Sequence, residues 1–539
     1  MSTATPFNPP PLQGSARLWG TIAVSLATFM NVLDSSIANV SLPAIAGDLG
    51  VSANQGTWVI TSFGVANAIA LPLTGWLSQR FGQVRLFITS VLLFVLSSWL
   101  CGLAPNMTML IIFRVMQGFV AGPMIPLSQG LLLSSYPPAL AGLAMGLWAI
   151  TTLVAPVVGP LLGGWITENI NWSWIFYINI PFGLLSAFMV WSIYRKRESV
   201  IRKLPIDSVG LGLLVIWVGA LQIMLDKGKE LDWFHSPEVV GLGLVALVGC
   251  AIFLAWELTA EHPAVDLRLF KRRNFWSGTL AIAVGYGLFF GNVVLLPLWL
   301  QQFMGYPSID AGMLLAPVGL FAIVLSPIVG KNVNRVDPRW LASFAFVVFA
   351  VVLLMRSHFN TQADFGTMML PTIIQGIAMA FFFIPLSVIL LSGIAPDKIP
   401  AASGLSSFVR IVAGSFGTSI ATTVWQDRAA MHHAQLAESI HQGSATATQV
   451  LAGMRNAGLT PEQALAQVNR LIDQQAYMLA INDVFFASAL IFLLLIPVVW
   501  FARPKLAGSA GSAGSAGSAG SAGGAGGSGS NVDAAVGAH

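Results

Sequence analysis

The sequence predicts an all-α polytopic membrane protein, and three observations carry that reading. The 539 residues are 55% hydrophobic and only 9% charged, where a soluble globular protein is about a quarter charged. Apolar runs of about 20 residues recur along almost the whole chain, each long enough to cross a hydrocarbon core as a helix. The second half of the chain also repeats short motifs of the first. The ten-residue alternation of a membrane β-barrel is not what these runs show.

The apolar runs are 18–40, 55–77, 85–104, 107–130, 140–165, 173–194, 208–226, 239–257, 277–300, 309–331, 339–356, 366–389, 402–426 and 479–501. Fourteen transmembrane helices put both termini on one side. With the N-terminus inside, eighteen Lys and Arg residues fall in inner loops and termini. Six fall outside: Lys227, Lys229, Arg356, Arg428, Arg455 and Arg470. That bias places both termini in the cytoplasm. The net charge of +4 therefore reports topology, not nucleic-acid binding. Cys101 and Cys250 lie in apolar runs and read as small hydrophobes, with no disulfide implied. The N-terminus, MSTATPFNPPPLQGSAR, lacks a signal-peptide cleavage pattern, so the first span is expected to be retained. Residues 427–478 read as one long, partly helical outer loop. The Gly/Ser/Ala tail, 507–539, reads as flexible coil.

The repeat has an offset of about 255–260 residues. Leu42–Pro43 matches Leu296–Pro297, and Pro72, Gly75 and Arg80 match Pro327, Gly330 and Arg335. Gln117–Gly118 matches Gln375–Gly376, and Gly142–Leu143 matches Gly404–Leu405. The expected organisation is an N-terminal six-helix bundle (1–196), two inserted helices with flanking loops (197–270), a C-terminal six-helix bundle (271–506) and the tail. Halves related by an axis along the membrane normal imply a site between them near the midplane, served by alternating access.

Six stretches resemble one family. LDSSIANVSLP (33–43), GWLSQRFGQVR (75–85), FRVMQGFVAG (113–122) and APVVGPLLGGW (155–165) resemble the fourteen-span drug:proton antiporters of the major facilitator superfamily. LDKGKELDWF (225–234), with GTWVITSFGVANAI (56–69), makes the match specific to EmrB-type multidrug exporters. The resemblance covers about residues 15–506. It implies two major-facilitator bundles, a periplasmic membrane-fusion adaptor and an outer-membrane channel as partners, and a Gram-negative inner membrane. One position departs: the loop after the second span usually carries an acid before its arginine, and here Gln79 stands there.

The candidate site starts from Asp34, which sits deep in the first apolar run. A carboxylate there costs ~2.5–3.5 kcal/mol on insertion scales. At 100° per residue, Asn31, Asp34, Ser35, Ala38, Asn39 and Ser41 share an arc of about 160°. Ser36 falls outside that arc, where a serine can bond its own backbone. Only Arg114 and Arg410 are basic away from the ends of the runs. At ~1.5 Å per residue, Asp34 and Arg114 both lie about 10 Å below the outer edge, so depth pairs them, directly or through water or Gln117. Burial raises a carboxylate pKa and an arginine lowers it. A proton-coupling role for Asp34 and Arg114 follows, with a purely structural ion pair as the alternative. Glu257 reads as interfacial. Arg410 has no carboxylate at its depth. An anionic substrate, carbonyls and water, or a snorkelled reach to the cytoplasmic face are the alternatives for it.

Substrate-cavity polarity is expected from Asn31, Gln117, Asn292, Gln375 and Arg410, with Phe289, Phe290, Met379 and Phe382 as an apolar wall or a lipid face. Pro156, Gly159, Pro160, Gly163 and Gly164 break and thin the fifth span. By resemblance they form the antiporter bend. Gly75, Arg80, Gly82 and Arg85 form a tight basic loop that gates the inner face by bonding helix ends, or only anchors it. Gly330–Lys331 lacks the glycines and Ser/Thr of a phosphate loop, and no other ATP signature appears, so the protein is not expected to be an enzyme or to need a cofactor. His432–His433 reads as a solvated helix face, not a metal site. The expected function is proton-driven export of hydrophobic drugs. Export of a physiological lipophile such as a fatty acid, or a non-transporting sensor or scaffold, are the alternatives.

Overall fold

The computed structural model describes residues 10–202, 205–333, 335–438 and 445–504; the tail 507–539 lies outside them. Among the described residues fourteen helices are long and apolar enough to span a membrane. Spans 1–7 are Gly14–Asp48, Trp58–Phe81, Gln83–Gly102, Met107–Ser135, Ala141–Asn169, Trp174–Tyr194 and Ser208–Lys227. Spans 8–14 are Pro237–Thr259, Arg273–Phe303, Ser308–Asn332, Pro338–Arg356, Phe365–Leu391, Ile399–Glu438 and Pro461–Trp500. Helix starts are set by side chains that satisfy otherwise orphaned N–H groups. Asn106 accepts from Met109 N before span 4, Asp207 from Gly210 N before span 7, and Asp364 from Thr367 N before span 12.

Within the stretch 427–478, residues 427–438, 445–456 and 461–478 are helical. Span 13 continues to Glu438 and span 14 begins at Pro461, behind a capping box of Thr460 and Gln463, with the short helix Ala445–Asn456 between them. Two helices of 40 residues are each about 60 Å long, twice the ~30 Å hydrocarbon core. The excess forms a polar hairpin beyond the membrane. His432 and Arg428 of span 13 meet Asp483 of span 14 at 2.8 and 3.0 Å, and His433 meets Asp473 at 3.5 Å.

Spans 1–6 pack together, and so do spans 9–14. Lipid supplies no hydrophobic drive between helices, so close backbone approach at small residues does the work. In the second bundle, span 9 crosses span 13 so tightly that a Cβ on Gly417 would lie 2.1 Å from Gly287 O.

The two bundles meet along two seams. Span 5 packs on span 10, and spans 2 and 4 pack on span 13. The closest approaches lie toward the face where the chain begins and ends, here the terminal face. A Cβ on Gly75 would sit 2.4 Å from Ala401 Cβ, one on Gly404 2.4 Å from Leu71 O, and one on Gly330 2.5 Å from Gly142 O.

The inserted pair closes one seam. Span 7 bonds span 2 through Thr61 Oγ1 to Asp226 Oδ2, 2.7 Å. It accepts from span 13 through Ser415 to Gln222 Oε1 and Ser419 to Leu225 O, at 2.9 and 2.6 Å. Trp233, in the turn after span 7, donates to Thr423 Oγ1 at 3.0 Å. Asp232 and Trp233 both hold positive φ, 57° and 48°, a strained geometry for such residues. That cost, set against the Trp233 contact, accounts for the DKGKELDW stretch as a shaped cap. Gly417→Val should lower the melting temperature in detergent, corresponding to ~1–3 kcal/mol of overpacking. An unchanged melt would mean the span 9–13 crossing can relax.

Candidate functional site

Span 1 carries Asp34 and span 4 carries Arg114 at matching depth, and both are fully buried. Arg114 NH1 donates to Asp34 Oδ2 at 2.6 Å and to Gln117 Oε1 at 2.6 Å, and its Nε donates to Val59 O at 2.9 Å. Its guanidinium also lies 4.2 Å over the Phe63 ring, a cation–π contact strengthened by burial. Asp34 Oδ1 accepts from Gln117 Nε2 at 3.0 Å and from Asn179 Nδ2 at 2.7 Å. Ser98 Oγ accepts from both amides, at 2.7 and 3.0 Å. Cys101 Sγ points at Gln117 Oε1, 3.7 Å. One carboxylate, one guanidinium, two amides and a hydroxyl thus neutralise one another inside a single bundle. A buried pair of this kind depends on hydrogen bonds to its remaining valences; Arg114 NH2 and Asn179 Oδ1 are the buried atoms of the cluster without a partner among the described residues.

Ser98 and Asn179 were not legible as site residues. A serine in an apolar helix ordinarily bonds its own backbone, and Asn179 sits at the start of the last helix of span 6, where sequence suggests only an edge. Asn31 lies one turn below Asp34 and donates to Ala121 O at 3.0 Å. Asn39 of the polar arc is exposed. Ser36 faces span 5, where a Cβ on Gly159 would lie 2.6 Å from Ser36 Cβ. Gly163 packs likewise on Ile37, whereas Gly164 makes only ordinary contact with Val40. The glycines thin span 5, but the prolines do not break it: the helix runs unbroken from Ala141 to Asn169, with Pro156 exposed. The Pro160 side chain lies outside the described part.

The remaining polar residues do not converge on one wall. Asn292 bonds Leu288 O and Ser488 Oγ within the second bundle, at 2.6 and 3.2 Å. Gln375 Oε1 accepts from Arg356 at 2.7 Å. Arg356, assigned from sequence to the outer side, is fully buried at the end of span 11 and also donates to Thr372 at 3.0 Å. The spacing explains it. Ser98 and Arg356 each lie nineteen residues before the glutamine they bond, Gln117 and Gln375, while Arg114 and Thr372 each lie three before. The second bundle keeps the glutamine, moves its arginine from the span-4 position to the span-3 position, and has no carboxylate among the ion pairs of its described core. Met379 and Phe382 are core residues of that bundle, 5% and 1% exposed.

Glu257 lies in the last turn of span 8, as its sequence position suggests, and is covered by protein. It is 1% exposed and accepts from Val265 N at 3.1 Å, tying down the segment after span 8. In the loop after span 2, Gly82 turns at φ 89°, and the helix end is bonded by an acid from elsewhere. Glu198 accepts from Val84 N and Arg85 N at 3.0 and 2.9 Å, at the positive end of the span 3 dipole. Arg80 lies over the Trp76 and Phe81 rings, at 5.3 and 5.9 Å. Between spans 5, 10 and 12 an apolar crevice of about 530 Å³ is lined by Val154, Val158, Met313, Pro317, Leu320 and Phe365, a volume in the range of drug-sized pockets.

Two six-helix bundles meeting along glycine-lined seams, with one buried ion pair in the first, define a polytopic transporter architecture. The chain belongs to the Major Facilitator Superfamily, whose family model matches residues 24–418. It is 50% identical over 500 residues to the Multidrug export protein EmrB of Escherichia coli (strain K12), covering 93% of this chain and 98% of that protein. It is 48% identical over 495 residues to the Fatty acid resistance protein FarB of Neisseria gonorrhoeae, covering 92% of this chain and 98% of that one. The crystal structure of the human organic anion transporter MFSD10 (TETRAN) shares the fold, with a TM-score of 0.55 at 13% identity, over 90% of this chain and 98% of that chain.

Arg114→Met should destabilise the protein by ~3–5 kcal/mol, because it leaves a buried carboxylate unpaired. Adding Asp34→Asn to it should recover part of that loss in a double-mutant cycle of melting curves. Additive losses would mean that the two groups do not interact energetically.

Proposed function

We propose that this protein is a proton-driven antiporter that exports hydrophobic drugs or other toxic compounds across a bacterial inner membrane by alternating access. The observation that carries the reading is the Asp34–Arg114 pair, a single buried carboxylate whose charge is balanced by one guanidinium within one bundle. Protonating Asp34 removes its attraction for Arg114. The guanidinium then keeps Gln117 Oε1 and Val59 O, and the Gln117 and Asn179 amides hold the neutral acid. The ion pair is the element whose charge changes, and the packing of span 1 on span 5 at Ser36 and Gly159 carries that change toward the seam. Relatives named for multidrug export, at 50% identity over nearly full length, support this reading. The apolar crevice supports a lipophilic cargo.

The positive-inside bias makes the terminal face cytoplasmic, with both termini inside. The close approaches at Gly75, Gly330 and Gly404 then shut the cytoplasmic side, and the proton reaches Asp34 from the periplasmic half. The helical hairpin beyond spans 13 and 14 projects into the periplasm. It is the docking element for a membrane-fusion adaptor that leads on to an outer-membrane channel. Export of a fatty acid is the second reading, favoured by the 48% identity to FarB.

Adding an uncoupler-type hydrophobic drug to detergent-purified protein should release protons, and Asp34→Asn should abolish the release. Equal release from both would move coupling to another group. Gly75→Leu should hold the cytoplasmic seam apart and stop transport while leaving drug binding. Normal transport by that variant would remove Gly75 from the gate. Replacing residues 439–460 by a short linker should abolish co-purification with the adaptor; retained co-purification would exclude the hairpin as the dock.

A further inference from the structure

We propose that the terminal-face half of the seam contains a binding site for one small monovalent anion of halide size, held on Arg410. A cavity of about 20 Å³ lies there, lined by Gln129 of span 4, Ser387 of span 12, and Ser403, Ser406, Ser407 and Arg410 of span 13. That is enough for one water or one small ion, which needs ~10–15 Å³, and far below the ~300–1,000 Å³ of a drug pocket.

Arg410 is half-buried, makes no ion pair or hydrogen bond with any described residue, and has its Nε buried and unpartnered. Its guanidinium lies over the rings of Tyr286 and Phe383, at 5.2 and 5.8 Å. Ring faces offset part of a cation's desolvation but carry no counter-charge. A lysine in this place could shed its proton, but a guanidinium cannot. A guanidinium held largely out of bulk water without an opposite partner gains from a counter-charge, so the site suits a mobile anion. The remaining groups suit one. The hydroxyls of Ser387, Ser406 and Ser407 are free to donate, while Ser403 donates to Gln129 Oε1, which leaves the Gln129 amide N–H as a further donor.

The site draws on both bundles. Gln129 belongs to the first and Arg410 with its serines to the second, so the site is complete only while the terminal-face seam is closed. Anion binding therefore stabilises that state by linkage. This consequence rests on the alternating access proposed above, whereas the binding itself does not.

The test is the melting temperature of the purified full chain in sodium chloride, bromide, sulfate and gluconate at matched ionic strength. Chloride and bromide should raise it above gluconate, and sulfate should not. Arg410→Met should erase the difference. Gln129→Ala and Ser407→Ala, which keep the charge, should fold and weaken the apparent chloride affinity about tenfold. Identical melting in chloride and gluconate would overturn the proposal, as would an undiminished chloride shift in Arg410→Met or in both milder variants. Stabilisation by decanoate but not by halide would make Arg410 a substrate subsite and overturn it too. Drug-evoked proton release is scored separately, so failure of the antiporter reading remains distinguishable from failure of this one.

Discussion

The carboxylate of Asp34 and the guanidinium of Arg114 meet at 2.6 Å with neither exposed, and the composition of the first bundle follows from that contact. The lone pairs left on Asp34 call for donors, and the amides of Gln117 and Asn179 supply them. Those amides in turn share Ser98, so that span 3 and span 6 are drawn to the same point. The far side of Arg114 needs span 2 close enough for Val59 O and the Phe63 ring to reach it. Gly118 permits this, since a Cβ there would lie 2.3 Å from Phe63 O. Five of the six helices in the bundle are thus fixed in rotation by one charge pair. A low dielectric makes each of these bonds strong and each missing partner costly.

The second bundle shows the same scaffold without the titratable group. Gln375 stands where Gln117 does, but Thr372 replaces the arginine at the three-residue spacing and Arg356 replaces the serine at the nineteen-residue spacing. A cation bonded to neutral oxygens keeps its charge through any ordinary change of pH. The two halves are therefore alike in packing and unlike in chemistry: one cluster holds a titratable carboxylate, and the other a cation bonded to neutral oxygens.

The inserted spans 7 and 8 distribute the seams unequally. Span 7 is hydrogen-bonded to span 2 on one side and span 13 on the other, while span 8 lies at the periphery with little of its surface buried. The seam of spans 5 and 10 has no such helix over it, and there the apolar crevice opens. Any relative motion of the bundles has to rearrange the bonds of span 7, whereas at the other seam only apolar contacts need to slide.

The sequence by itself determined the number of spans, the two-fold repeat, and the pairing of Asp34 with Arg114. These depend on run length, spacing and depth, all of which a helix converts linearly from residue number. It also determined that Gly159 and Gly163 thin span 5, because small residues at helical spacing have few other uses in lipid. Only the tertiary structure decided what depends on helix rotation and on distances between segments far apart in the chain. Ser98 and Asn179 join the ion pair because spans 3 and 6 turn those faces inward. Arg356 is buried because neighbouring helices cover the end of span 11, which hydropathy marks only as an edge. Glu198 takes over the helix end that Gln79 leaves without an acid, from a linker more than a hundred residues away. The polar stretch 427–478 has the composition of a loop, and its helices leave the membrane intact because a capping box starts one and pairs such as His432–Asp483 hold the two together.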